Sequence, residues 1–130
     1  MWKELAASWA ILLGIGCMMI ANGLQGTLLG VRAMMEGFSA FTTGIMMSGY
    51  FVGIFIGSFL APYLVRRVGH IRVFSAMASL ASISILFHGV YINAGIWFFM
   101  RILTGICFAG FYVVAESWLN DRASNATRGK

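Results

Sequence analysis

Charge is scarce in this chain. Of 130 residues only 10% are Asp, Glu, Lys or Arg, against about 25% in an ordinary soluble domain. Four acidic residues in all, Glu4, Glu36, Glu116 and Asp121, leave no paired carboxylates within the apolar runs. There is no metal-ligand spacing and no phosphate-cradling loop after a strand, so the sequence offers no catalytic arrangement, and neither a metal nor a cofactor is expected. Cysteine is equally sparse. Cys17 and Cys107 lie inside apolar runs, where a free thiol behaves as a small hydrophobe, and a disulfide or metal role is not expected. With one proline, 16 glycines and 60% hydrophobic residues, the composition is the opposite of a disordered chain, which needs low hydrophobicity. No low-complexity linker or soluble domain stands out.

What is present is a set of long apolar runs. Four helices are expected, over about 9–29, 43–64, 73–90 and 95–114. At 1.5 Å per residue these are roughly 27–33 Å long, matching a hydrocarbon core of about 30 Å. Their interiors hold one charge between them, Arg101. A soluble bundle would keep a polar face on each helix, and barrel strands would alternate with period two; these runs do neither. The first run is too long for a secretory signal and more spans follow it. The fold class is therefore an all-α membrane protein. Short connections over 31–42, 65–72 and 91–94 favour antiparallel neighbours, followed by a polar tail over 116–130.

The net charge of +5 could point to nucleic acid in a soluble protein. Here the basic residues flank apolar runs, so no nucleic-acid partner is expected and topology is the better reading. With the N-terminus inside, Lys3, Arg66, Arg67, Arg72, Arg122, Arg128 and Lys130 are cytoplasmic and only Arg32 is outside. Both ends of the chain are then cytoplasmic. Trp9, Tyr63 and Trp118 fall near the inner interface, and Tyr91 and Trp97 near the outer one, where aromatics commonly anchor. The sequon Asn125-Ala126-Thr127 falls on the cytoplasmic side and is discounted.

Small residues fall at four-residue spacing. Gly49, Gly53 and Gly57 share a face of the second helix, Gly26 and Gly30 one of the first, and Gly105 and Ala109 continue a face that starts at Arg101. Such stripes allow close helix crossings. Arg101 is the sharpest signal, because a charge in hydrocarbon is costly and normally faces a polar cavity or partner. It lies roughly 9 Å past Gly95 by helical rise, so snorkelling to the outer interface is the competing reading. Asn22 and Gln25 share a face of the first helix at roughly 10 Å from its outer end, a depth similar to that of Arg101. This predicts a substrate or coupling cavity of Asn22, Gln25 and Arg101, with a purely structural interhelical hydrogen bond as the alternative. At the inner rim, Glu116, expected to close the fourth helix, and Arg66, Arg67 and Arg72 suggest a salt-bridge cluster. His70 and His88 are given no role.

The run Ala61-Pro62-Tyr63-Leu64-Val65-Arg66-Arg67-Val68-Gly69-His70-Ile71-Arg72 resembles the signature loop of the major facilitator superfamily, Gly-x-x-x-Asp-Arg/Lys-x-Gly-x-Arg-Lys/Arg. Aligned on Gly69, Arg67 takes the basic position and Arg72 falls near the closing basic pair, while Pro62 and Arg66 replace the usual Gly and Asp. Arg101-Ile102-Leu103-Thr104-Gly105 is similar to the superfamily's Arg-x-x-x-Gly motif, whose Arg is often linked to proton coupling. Glu116-Ser117-Trp118-Leu119-Asn120, followed by Arg128-Gly129, resembles a bacterial branch. Members have about twelve helices in two six-helix halves. The resemblance therefore implies the first four helices of an N-terminal half, with missing helices as partners, in a bacterial inner membrane. It also implies secondary active transport of a small solute, with proton-coupled efflux as the finer expectation. A four-helix multidrug exchanger would use a Glu in the first helix, and none lies between Trp9 and Leu29; a noncatalytic membrane subunit remains the other alternative.

Overall fold

The computed structural model describes residues 2–127, with side chains for all of these except 4, 5, 7 and 123–127. Arg128, Gly129 and Lys130, and the side chains of the Asn125 sequon, lie outside the described residues. Four helices follow one another: α1 (Trp2–Met35), α2 (Ala40–Val68), α3 (His70–Val90) and α4 (Ala94–Thr127). Each contains a span long and apolar enough to cross a membrane.

The helices outrun their apolar stretches. α1 reaches Met35, α2 continues past Pro62 to Val68, and α4 does not close at Glu116 but extends through the polar segment to Thr127. Hydropathy marks where hydrocarbon ends, whereas a helix ends where a residue stops the hydrogen-bond ladder. The stops are visible. After α1, Gly37 takes a left-handed φ of 79°, and Phe38 N–H bonds to Ala33 C=O while Gly37 N–H bonds to Met34 C=O. This is a Schellman closure, and glycine enters it without a Cβ penalty. Ser39 then caps α2, its hydroxyl accepting from Thr42 N–H at 3.1 Å. Asn93 caps α4, its Oδ1 accepting from Gly95 N–H at 2.9 Å. Between α2 and α3 the expected loop shrinks to Gly69 alone, at φ 91°.

α4 is the central element, the most deeply buried of the four spans, and α1 is the least buried. α2 crosses α4 along the expected glycine stripe. A Cβ added at Gly49 would come within 2.8 Å of the Phe98 carbonyl, and one at Gly57 within 2.7 Å of Ala109 Cβ. Gly53 and Gly105 face one another, and a Cβ on either would strike the other helix's backbone. On the other side of α4, Val73, Met77 and Ala81 of α3 pack with Cys107, Phe108, Phe111 and Val114. Gly26 and Gly30 behave differently from their α2 counterparts, with no atom within 4 Å of an added Cβ. α1 reaches the bundle chiefly near its end, where Leu29 and Ala33 meet Met46 and Trp97. Trp97 is not an exposed anchor: it is 0% exposed, packs edge-on against Phe38, and donates its indole N–H to the Tyr91 carbonyl at 2.6 Å.

Candidate functional site

A belt of polar side chains crosses the bundle, nearer the α1–α2 and α3–α4 connections than the joint at Gly69. On α1, Asn22 donates its amide to the Tyr50 hydroxyl of α2 at 2.8 Å. Above the Tyr50 ring lies the Arg101 guanidinium of α4, 4.7 Å from the ring centroid. Three helices therefore meet at one tyrosine, which places Asn22 and Arg101 together. Gln25, one turn along α1 from Asn22, is 9% exposed, and neither its Oε1 nor its Nε2 has a partner.

Arg101 is 4% exposed, so it does not reach an interface by snorkelling. Its Nε and Nη1 are buried and bond to nothing. The acidic residues are distant in sequence or already engaged. Glu36 pairs with Arg32 at 2.7 Å, and Glu116 lies fifteen positions further along α4, roughly 22 Å by helical rise. The stacked tyrosine recovers about 2 kcal/mol as a desolvated cation–π contact. Burying an unpaired charge costs several kcal/mol, so Tyr50 offsets part of that cost, and among the described residues no acidic group is seen to balance the rest.

The belt continues on α3. The Ser84 hydroxyl is 2.8 Å from both the Met100 carbonyl and the Thr104 hydroxyl, and Thr104 also donates to Met100 C=O at 2.9 Å. These bonds fix α3 to α4 one turn from Arg101. His88 Nδ1 is 2.7 Å from the Ser84 carbonyl. A carbonyl only accepts, so Nδ1 carries the proton. His88 Nε2 then faces the interior with no partner. Gln25, His88 and Trp97 line a cavity of about 340 Å³ between α1 and α3, with Leu24, Leu28 and Ile85 as apolar walls and Arg32 at its rim.

The expected rim cluster takes another form. Arg66, Arg67, Arg72 and Glu116 are all exposed, and among the described residues Glu116 makes no ion pair with any of the three. Because the joint at Gly69 uses a single residue, these arginines stay on helix surfaces instead of folding over α4 in a loop. Arg67 stacks on Tyr63 at 5.3 Å. What ties α3 to α4 at this end is His70, whose Nε2 is 2.8 Å from the Ser117 hydroxyl.

Tyr50, Ser84, His88 and Thr104 are the members of the belt that sequence reasoning passes over. Tyr50 had a usable signal. It follows Gly49 of the packed stripe and sits ten residues from the start of α2, roughly 15 Å from the end where interfacial tyrosines gather.

The profile of the Major Facilitator Superfamily matches residues 11–130. The chain is 27% identical over 120 residues to the uncharacterized MFS-type transporter YcaD of Escherichia coli O45:K1 (strain S88 / ExPEC). It is 26% identical over 120 residues to the protein of the same name in Escherichia coli O139:H28 (strain E24377A / ETEC). Each match covers 92% of this chain and 31% of the relative, so the chain spans about a third of the length of these curated relatives. No solved structure matches significantly. A family profile over nearly the whole chain, together with four membrane-length apolar helices, establishes that this multi-pass membrane protein belongs to the Major Facilitator Superfamily.

Proposed function

We propose that the chain forms part of a secondary active transporter for a small solute, and that Arg101, Asn22 and Gln25 line its solute or coupling path, with Tyr50 joining them. Proton-coupled efflux is the form of transport we favour. The observation that carries this reading is Arg101, a charge deep in the bundle with two buried nitrogens unpartnered. Such a residue in a membrane span is retained for a pathway or a relay far more readily than for stability. The glycine seam between α2 and α4 suits a bundle whose helices shift against one another. In this reading Arg66, Arg67, Gly69, Arg72 and Glu116 form the cytoplasmic rim in a bacterial inner membrane, and the basic residues there act as topogenic charge. A second reading, a noncatalytic membrane subunit, draws on the largely exposed α1.

Energised inside-out vesicles carrying the product of the complete reading frame separate the two. A solute panel spanning anions, cations and neutral amphiphiles should contain a member that restores the fluorescence of a ΔpH-sensing dye, in these vesicles and not in controls. If every solute leaves the dye quenched and no gradient-dependent uptake is seen, the subunit reading takes precedence. The orientation has its own check. A cysteine at Ser39 should react with a membrane-impermeant maleimide added outside intact cells, and one at Asn120 should not. The opposite pattern would place the termini outside.

A further inference from the structure

We propose that the Arg101 site takes a carboxylate, so that the solute is a small monocarboxylate with an apolar body. This rests on the transport reading for the site's role and deepens it by naming the chemical class. The argument starts from charge balance. Arg101 is the one charge in the interiors of the four spans, with Nε and Nη1 buried and unpartnered. The Tyr50 ring beneath it and the Asn22 amide bonded to that tyrosine are neutral. A buried cation in that setting is satisfied by an anion that also accepts hydrogen bonds.

The valence of the anion follows. Arg32, at the cavity rim, is balanced by Glu36, and Arg66, Arg67 and Arg72 are at the far rim, so among the described residues Arg101 is the one unbalanced guanidinium at the site. A single positive charge balances a monoanion and leaves a dianionic phosphate half-neutralised. His88 turns a lone pair, not a proton, toward the interior when Nδ1 is bonded to Ser84 C=O, and so adds no second cation in its neutral form. Trp97 lines the 340 Å³ cavity, and Arg101 lies four positions further along the same face of α4. Gln25 lines that cavity too, with both polar atoms unpartnered. Beside Gln25, His88 and the rim residue Arg32, the cavity's walls are apolar, with Leu24, Leu28 and Ile85. Arg101 is not itself a lining residue of the cavity, but it is one turn beyond Trp97, which is; a carboxylate that reaches Arg101 past Trp97 and leaves an apolar body in the cavity describes one amphipathic ligand.

Benzoate is a suitable probe, and benzamide is its neutral isostere. In detergent, the product of the complete reading frame should bind radiolabelled benzoate saturably in equilibrium dialysis. Benzamide, and inorganic phosphate at a mildly alkaline pH where it is mainly the dianion, should compete at least about tenfold more weakly, since neither offers a balancing monoanionic carboxylate. Arg101→Gln should weaken benzoate by at least about tenfold, and Arg101→Lys, which keeps the charge but loses the planar fork, should fall between. The proposal is overturned if monodisperse protein binds no benzoate, the outcome expected if an acidic side chain of another helix occupies Arg101. It is equally overturned if benzamide or phosphate competes as well as benzoate, or if Arg101→Gln binds unchanged. Dialysis needs no gradient, so the two readings fail separately. Vesicles that transport a neutral solute without benzoate binding refute only the carboxylate. Arg101-dependent benzoate binding without transport refutes only the transporter.

Discussion

Gly53→Leu should abolish most of the folded population, at a cost above about 3 kcal/mol, the upper range for forcing bulk into a packed interface. Even a methyl group has no room. A Cβ at Gly53 strikes the Ile102 carbonyl oxygen and lies 2.8 Å from Ile102 C and 2.9 Å from Gly105 Cα. All three are backbone atoms, which cannot rotate aside. The two helices would have to separate, and in lipid no hydrophobic force between helices resists that, because their association depends on close van der Waals approach. Tyr50 sits one turn before Gly53 on the same helix, so the separation would also carry its ring away from Arg101. Ile54→Leu should change little by comparison, being a volume-conserving swap. Gly26→Leu gives a sharper control, since open space surrounds that position. The monodisperse fraction in detergent, followed by size exclusion of a fluorescent fusion, reads the difference. Equal recovery of Gly53→Leu and Gly26→Leu would mean that the α2–α4 seam does not form in the membrane.

Arg101→Leu should do the reverse, leaving the fold intact and removing function. Leucine is apolar and shorter than arginine, so it fits the space without a clash, and it eliminates a buried charge that rests on the Tyr50 ring. Replacing an unbalanced buried ion by an apolar residue is often neutral or stabilising, so folded yield should match or exceed that of the unmodified protein. Transport in the vesicle assay should fall by at least about a hundredfold, equivalent to nearly 3 kcal/mol, as expected when a charge-assisted contact is lost from a desolvated site. Arg101→Lys should fall less far. Its ammonium keeps the charge, yet it cannot lie flat on the Tyr50 ring. A Leu variant that transports at the unmodified rate would reduce Arg101 to a structural residue and remove the basis for a solute path along Asn22, Gln25 and Arg101.

Linear sequence is enough for the membrane character and the number of spans, because both depend on sums along one stretch of chain: an apolar run of sufficient length needs no partner to be recognised. It also determined the candidate seam on α2, since Gly49, Gly53 and Gly57 keep their spacing in any helix. Tertiary structure decided which stripes are used. The glycines of α2 lie against α4, whereas a Cβ on Gly26 or Gly30 of α1 would meet open space, although the spacing pattern is the same. It likewise decided that Trp97 is a core residue while Tyr91 is exposed, and that Glu116 does not bridge to the rim arginines. Only the fold revealed Tyr50 as the residue shared by Asn22 and Arg101, and joined Ser84 to Thr104 beside them. The physical reason is common to all of these. Periodicity records which residues share a face of one helix, but a hydrogen bond or a backbone contact needs atoms from another. Those atoms are 28 positions away for Asn22 and Tyr50 and 47 away for His70 and Ser117, and only the crossing of the helices brings them within reach.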